Sequence, residues 1–425
     1  SETMGFKANI ASNLINQVLR IVIGFATSVI TAQVLGPQGM GYVAYIILVF
    51  TLIGDFGHLG LNNANMYFMK RGGVPSGHLF SVNLTTLGLL FGTITAVLIF
   101  LRARGLVLAS YGWTYILGGL LFVGSDLAYT NLHSWYIGDE RILESNRKII
   151  IVFLLKSALI LILWFAGTLT PLSFFAVTVL GMFLNAVLLG FGVGQNYAPA
   201  LDLGLVKAEL SYGGILWLGA VCSFLHLRAD QFMIKQMLNV SELGVYSIAV
   251  TLAELLFLVP ISVSSALLGK LYNTSEPGVA RSIMAGTLKL TFYICTALAL
   301  VGIPLSLLIP VIYGQAYAGA VSSVMVLLGG AVFASLAKVG MQYFFTLGRP
   351  KVHLYTTLAT LIVNVGLNFL LIPRWGIFGA AFASSISYLG YGIFYLALFL
   401  GREKFSWRDL FAIDTEDVKA LWKRP

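Results

Sequence analysis

The 425-residue chain is 58% hydrophobic and only 10% charged, and its mean hydropathy is +0.89. Because soluble globular chains carry about 25% charged residues, this composition excludes a water-soluble globular protein and predicts an integral membrane protein. The formal net charge is +9, but the basic residues flank apolar runs and form no contiguous patch, which argues against nucleic-acid binding.

Apolar runs of about 20 residues have the length that an α-helix needs to cross a bilayer. Turn residues or charges separate these runs, as at Gly36 and Pro37. We therefore predict an all-α membrane fold of about twelve transmembrane helices. The spans lie near residues 11–35, 41–66, 78–101, 113–137, 149–167, 171–194, 212–237, 243–269, 282–309, 318–346, 353–372 and 377–400.

The basic residues outside these spans are divided unequally between the two predicted sides of the membrane. One side holds 17 of them, and the other holds only Arg102, Arg104 and Arg374. The positive-inside rule then places both termini in the cytoplasm. We expect a multi-pass protein of the cytoplasmic (inner) membrane. Its external loops are short, which leaves little room for an extracytoplasmic catalytic domain.

Weak internal repetition predicts two lobes of six helices each. The segment that begins at Gln33 resembles the one that begins at Gln236, at an offset of 203 residues. We predict an N-lobe over residues 1–200, a C-lobe over residues 201–400, and a central cavity between them, since parallel repeats of this kind rock around a shared site. The polar tail 401–425 is predicted to be either an amphipathic helix on the cytoplasmic face or disordered.

Ionisable residues within the spans are the strongest indication of function. Ten such residues facing lipid would oppose insertion by roughly 25–35 kcal/mol, so most are expected to face one another or a hydrated cavity. Six are positive and four are negative, an excess of cations that suits an anionic ligand. The ten are Arg20, Asp55, Asp126, Lys156, Arg228, Asp230, Lys235, Glu254, Lys289 and Lys338.

Helical spacing groups these charges with other polar residues, because side chains three, four or seven positions apart share a helix face. Span 2 places Asp55 and His58 on one stripe with two asparagines, Asn62 and Asn65. In span 7, His226 and Asp230 share a face. Carboxylates near histidines suit proton or cation exchange, although structural ion pairs would produce the same pattern.

Several short motifs, in order along the chain, resemble the polysaccharide transporter family, the Wzx-type oligosaccharide flippases of the MOP superfamily. No single motif is diagnostic, but their order and spacing agree over essentially the whole chain up to about residue 400. The motifs are Ser12 to Leu14, Leu35 to Tyr42, Arg228 to Asp230, Leu243 to Ala249, Gly348 to Pro350 and Trp375 to Ala381.

This resemblance implies a flippase that carries a polyprenyl-diphosphate-linked oligosaccharide, such as an O-antigen or other surface-glycan repeat unit, by ion-coupled alternating access. Cationic residues are then expected to bind the diphosphate, and acidic residues or histidines to couple transport to Na⁺ or H⁺. The substrate-binding candidates are Arg20, Arg228, Lys235 and Lys338. The ion-coupling candidates are Asp55, His58, Asp126, Asp230 and Glu254.

Two other functions stay open at this level. A small-molecule or drug antiporter of the same superfamily has similar architecture, although an acidic cavity is expected for cationic drugs. A membrane glycosyltransferase or polymerase is disfavoured because the short external loops contain few carboxylates. We expect no enzymatic activity, organic cofactor or metal centre. The expected partners are the lipid-linked oligosaccharide, membrane lipids, and the glycan polymerase and glycosyltransferases of the same pathway.

Overall fold

The structure is a computed structural model that describes residues 2–71, 73–139, 141–264 and 277–403. These residues form helices joined by turns and loops, and the described ranges contain no β-strand, which confirms the predicted all-α fold. The long helices are α1 (Glu2–Gly57), α2 (Leu61–Arg71), α3 (Ser76–Ala103), α4 (Trp113–Gly138), α5 (Ile142–Phe165), α6 (Pro171–Gly190), α7 (Leu203–Met237), α8 (Val240–Glu254), α9 (Pro277–Leu305), α10 (Ala320–Thr346) and α11 (Pro350–Glu403). Helical residues 258–264 continue from α8 through the 3-10 helix Leu255–Phe257, and short helical turns lie between α9 and α10. Most of the predicted tail, from residue 404 onward, lies outside the described residues.

Two of these helices are each bent at one glycine. Gly36 in α1 has φ 64° and ψ 175°, and Gly376 in α11 has φ 58° and ψ −140°. Neither pair of angles is helical, and a positive φ is a conformation that glycine adopts without the steric penalty of a Cβ atom. The bends coincide with the predicted boundaries between spans 1 and 2 and between spans 11 and 12.

Among the described residues, nine helical segments are long and apolar enough to cross a membrane. Two of them, Arg20–Gly57 with 38 residues and Pro350–Glu403 with 54, contain the bent glycines. At a rise of 1.5 Å per residue they are about 57 and 81 Å long, against a hydrocarbon core of about 30 Å. Pro350–Glu403 is therefore long enough for two crossings, and Arg20–Gly57 is long enough for nearly two. The count of twelve spans stays a prediction.

The second predicted span is not one continuous helix, and in this respect the sequence-based expectation was wrong. Helix α1 ends at Gly57 and α2 begins at Leu61. Between them, Leu59 has φ 48° and Gly60 has φ 84°, so the backbone makes a left-handed turn inside the predicted span. The uninterrupted polar stripe expected over residues 55–65 is therefore divided between two helices.

The chain divides into two compact units between Trp217 and Leu218, within α7. The first unit has a core in which Phe50, Phe122 and Phe175 are at most 5% exposed. In the second unit, α9, α10 and α11 bury a cluster of apolar and aromatic side chains. Large apolar side chains on the outside, such as Phe165, are exposed, as expected for helices that contact lipid.

Candidate functional site

An ion pair joins α7 and α8 in the second unit. Two guanidinium nitrogens of Arg228 donate to the two carboxylate oxygens of Glu254, at 2.6 and 2.9 Å. The two side chains are only 25% and 27% exposed. This bidentate geometry is the strongest arrangement of an arginine with a planar anion. Each charge compensates the other, so the pair adds no net charge to this part of the unit.

Lys338 of α10 supplies another positive charge close to this pair. Its Nζ lies 4.6 Å from the ring centroid of Phe257, and both Arg228 and Glu254 are within electrostatic reach of the ammonium group. Lys338 also lines a cavity of about 30 Å³ together with His226, which has room for about one water molecule. The structure therefore brings three predicted site residues together. Asp230 also interacts electrostatically with Arg228, so the formal charges of these four residues sum to zero.

Asp230, also on α7, lies at the centre of a buried hydrogen-bond network. The hydroxyl groups of Tyr246 and Ser384 donate to its Oδ2 at 2.5 and 2.8 Å, and the backbone N–H of Gln231 donates to its Oδ1 at 2.7 Å. Asp230 is only 1% exposed. These three donors take the place of water around the carboxylate, which otherwise could not be buried without a large desolvation cost.

The network continues from Ser384 into both halves of α11. Asn364 donates from Nδ2 to the hydroxyl oxygens of Ser384 and Ser387, at 3.2 and 3.1 Å. The Nε2 of His226 lies 3.0 Å from the Ser387 hydroxyl. His226 and Asp230 thus share one buried face, as their four-residue spacing predicts. The grouping offers a carboxylate, hydroxyls and amide oxygens, ligands that suit a proton or a small hard cation.

Lys235 lies two turns beyond Arg228, in the last turn of α7, where it is half-buried. A cation at this position interacts favourably with the partial negative charge at the C-terminal end of a helix. Its location is therefore compatible with a structural role as well as with the predicted binding of an anionic substrate.

In the first unit, two predicted carboxylates lie close together on α1 and α4. The Oδ2 of Asp126 occupies the space that a Cβ atom at Gly54 would take. Asp55 is the next residue along α1, and the two carboxylates interact electrostatically. Both side chains are half-buried. Two neighbouring acidic groups favour a shared proton or a bound cation, because two negative charges so close together repel each other unless a positive charge lies between them.

Arg20 is exposed on α1, with its guanidinium carbon 5.5 Å from the ring centroid of Phe153. Tyr129 on α4 is within electrostatic reach of both Arg20 and Asp126. The structure therefore places Arg20 in the same region as the acidic pair, but the described contacts of its guanidinium include no carboxylate.

His58 is buried in the turn between α1 and α2. Its Nδ1 accepts a hydrogen bond from the backbone N–H of Gly60 at 3.2 Å, which requires Nδ1 to be unprotonated. The indole Nε1 of Trp217 donates to the carbonyl oxygen of Asp55 at 2.9 Å, near the end of α1. His58 therefore has a structural partner in the turn, which the expectation of an ion-coupling role did not anticipate.

One buried carboxyl group was missed by the sequence reasoning. Glu209 is 0% exposed and accepts a hydrogen bond from Nδ2 of Asn83 at 2.9 Å. The predicted span began at residue 212, which left Glu209 in a loop. Helix α7 instead begins at Leu203, where Asp202 Oδ1 accepts the backbone N–H of Leu205 as an N-terminal cap. The Asp202 residue just before the helix was the sequence signal for this earlier start.

A family model described as "Polysaccharide biosynthesis protein" matches residues 30–322 of this chain. A Shigella flexneri protein named "Putative O-antigen transporter" is 23% identical over 182 residues, which are 42% of this chain and 44% of that protein. An uncharacterized membrane protein of Methanocaldococcus jannaschii is 25% identical over 195 residues, which are 45% of this chain and 38% of that protein. Each alignment spans less than half the length of the curated relative.

Solved structures of MOP-superfamily transporters share the fold. The lipid II flippase MurJ in an inward closed conformation has a TM-score of 0.75 at 15% identity, covering 96% of this chain and 91% of that one. An inward-facing multidrug resistance MATE transporter has a TM-score of 0.64 at 12% identity, covering 91% and 94%. A MOP-superfamily transporter from Pyrococcus furiosus has a TM-score of 0.65 at 13% identity, covering 92% and 93%.

Proposed function

The chain belongs to the polysaccharide biosynthesis protein family, and we propose that it carries a polyprenyl-diphosphate-linked oligosaccharide across the cytoplasmic membrane by alternating access. The cargo would be an O-antigen or another surface-glycan repeat unit. The name of the Shigella flexneri relative and the fold shared with the lipid II flippase support this proposal. The observation that carries it is the set of charged side chains, Arg228, Glu254 and Lys338, clustered within apolar helices.

A protein is needed for this step because sugar hydroxyls and a diphosphate lose their water partners in hydrocarbon. The guanidinium of Arg228 is planar and binds either a carboxylate or a phosphate bidentately. In our proposal the diphosphate displaces Glu254 from Arg228, and Lys338 adds a point charge to the same group. Arg20 and Lys235 are proposed as further contacts with the diphosphate.

We propose that transport is coupled to a proton or sodium gradient through buried acidic groups. In the second unit, Asp230 would exchange a proton or cation within its network of hydroxyl and amide groups. In the first unit, Asp55 and Asp126 would do so as a pair. Glu254 would take part when the substrate releases it from Arg228. His58 is the weaker candidate, since its Nδ1 is engaged with Gly60.

The location and partners of the protein follow from the same proposal. Both termini would lie in the cytoplasm, where glycosyltransferases assemble the lipid-linked cargo. A glycan polymerase on the opposite side would receive it. An antiporter for small molecules is the alternative within this fold, which is also that of MATE transporters. Arg228 favours an anionic cargo over the cationic drugs of that alternative, because its guanidinium already binds a planar anion, the Glu254 carboxylate, through two hydrogen bonds.

The test is transport by purified protein in proteoliposomes. A fluorescent polyprenyl-diphosphate sugar is placed in both leaflets, and a membrane-impermeant quencher reports how fast it changes sides. Wild type should flip the lipid, and Arg228→Ala should lose most of the rate. Arg374→Ala is the matched control, because it removes an exposed arginine of the same unit. Export of a drug without flipping would favour the antiporter instead.

A further inference from the structure

The first unit contains a second buried polar cluster that the proposed function does not use. Asn83 of α3 donates from Nδ2 both to Oε1 of Glu209, at 2.9 Å, and to Oδ1 of Asn65. Asn65 of α2 in turn donates to the hydroxyl of Ser134 on α4 at 2.9 Å. All four side chains are at most 5% exposed. We propose that Glu209 and the amide oxygens around it bind a monovalent metal cation of the size of sodium.

The first support is a set of buried acceptor oxygens that have no hydrogen-bond donor. They are Oε2 of Glu209 and the Oδ1 atoms of Asn62, Asn83 and Asn131. Asn131 also leaves its Nδ2 without a partner, although the residue is only 1% exposed. Buried polar atoms are nearly always hydrogen-bonded. Four unsatisfied acceptors in one region are therefore available to coordinate an electropositive ligand.

The register of α2 against α4 brings two of these asparagines to the same level. Asn65 contacts Ser134, and Met69 packs against Gly138. In both contacts the residue on α4 comes 69 positions after the residue on α2. From the first contact to the second, the position increases by four on each helix, so the two helices run parallel. The same offset places Asn62 beside Asn131, one helical turn before the contact of Asn65 with Ser134.

Close packing of α7 brings Glu209 into this region. Gly60 and Gly213 are in backbone contact: a Cβ atom at Gly60 would lie 2.6 Å from the carbonyl oxygen of Gly213. Glu209, Gly213 and Trp217 are four residues apart and so share one face of α7. The missing side chains at the two glycines let this face approach the turn before α2, and Glu209 is buried as a result.

The charge of the cluster sets the valence of the ligand. Glu209 is the one ionisable group among the described side chains of this network, and Asn83 is its hydrogen-bond partner there. A carboxylate buried without a counter-ion carries a large desolvation cost. A single positive charge neutralises it, whereas a divalent cation would leave a buried excess. Oxygen-only donors select hard cations over transition metals.

A proton on Glu209 is the competing occupant, because a neutral carboxyl would also remove the buried charge. A proton on Oε2 would account for that atom and for one acceptor to which it donates, whereas a cation is coordinated by several oxygens at once. Sodium binding is measured without any transport, so the failure of this proposal is distinguishable from failure of the proposed flippase activity.

The experiment uses the purified full-length chain in lipid nanodiscs, with thermal unfolding followed as choline chloride is replaced by sodium chloride at constant ionic strength. It is done in an Asp230→Asn background, which removes the candidate site of the second unit. We expect sodium to raise Tm by about 2–4 °C, as stabilisation by a bound ligand requires. Adding Glu209→Gln should reduce that rise by the share due to this site, because the amide keeps the shape and removes the charge. Any sodium response that remains is assigned to the Asp55 and Asp126 pair, which both variants keep.

Two results would overturn the proposal. One is the same sodium-dependent rise in Asp230→Asn with and without Glu209→Gln. The other is a Tm that does not respond to sodium and whose response to pH is reduced by Glu209→Gln, which identifies Glu209 as a proton site. If the double variant does not fold, equilibrium binding of radioactive sodium to wild type and to Glu209→Gln replaces the assay. We then expect a difference of about one ion per chain, and equal binding would contradict the site.

Discussion

Arg228 and Glu254 meet through two parallel hydrogen bonds, at 2.6 and 2.9 Å, that tie α7 to α8 in the second unit. They are 26 positions apart in the chain. The pair fixes the orientation of the guanidinium, with two of its nitrogens directed at one planar anion. It also keeps the Glu254 carboxylate within electrostatic reach of Lys338. In our proposal Arg228 and Lys338 bind the diphosphate when it is present, and Arg228 pairs with Glu254 when it is absent.

Loss of the Arg228–Glu254 pair should affect stability and transport in different ways. Arg228→Ala leaves Glu254 unpaired, so we expect a loss of stability that the double variant Arg228→Ala with Glu254→Ala partly restores. The coupling free energy should be about 1–3 kcal/mol, measured by thermal unfolding in detergent. Transport should stay lost in the double variant. Additive effects on stability would show that the pair contributes little to the fold.

Neighbouring serines on α11 test the role of the Asp230 network. Ser384 donates to Asp230, whereas Ser385 donates to the carbonyl oxygen of Val326 at 2.7 Å, outside the network. Ser384→Ala should weaken the dependence of flipping on a sodium or proton gradient, and Ser385→Ala should leave that dependence unchanged. The measurement is the flipping rate in proteoliposomes with and without each gradient. Equal effects of the two substitutions would count against Asp230 as the coupling group.

The close approach of Gly60 and Gly213 should make both positions intolerant of a side chain. At Gly60 the φ of 84° adds backbone strain to the steric overlap. We expect Gly60→Ala to destabilise the first unit by about 1–3 kcal/mol. Gly88→Ala is the control, since a Cβ atom there meets nothing within 4 Å. The measurement is the Tm of each variant in thermal unfolding. Similar Tm values for Gly60→Ala and Gly88→Ala would contradict the close approach of Gly60 to Gly213.

The N-terminal cap of α7 should make the stability of the protein fall in acid. The backbone N–H of Leu205, and then His78, hold the pKa of the Asp202 carboxyl below its usual value. A carboxyl group with a lowered folded-state pKa stabilises the fold above its unfolded pKa of about 3.9, and this contribution disappears as pH falls through the folded value.

Asp202→Asn should keep the cap, because an asparagine oxygen also accepts the N–H of Leu205. It should, however, reduce the loss of Tm between neutral pH and about pH 3. Unfolding curves for wild type and variant at several pH values provide the measurement. An unchanged acid sensitivity in the variant would assign the effect to other carboxylates.

The sequence alone determined that this is an all-α membrane protein of a transporter family. Run length, scarcity of charge and positions of turn residues are local properties, and a bilayer demands about 20 apolar residues for each helical crossing. The bends at Gly36 and Gly376 were visible for the same reason, since both occur between two apolar runs. The four-residue spacing of His226 and Asp230 was likewise enough to place them on one face.

Tertiary structure alone decided which polar residues meet. Glu209 contacts Asn83 from 126 residues away, and Asp230 contacts Ser384 from 154 residues away. No local pattern specifies such partners, because they depend on how closely helices approach. The turn at Gly60 places Asp55 and Asn65 on two different helices, whereas helical spacing alone predicted one continuous polar face. A bilayer removes water as an alternative partner, so the contacts between helices, rather than the period of any single helix, determine the environment of each buried charge.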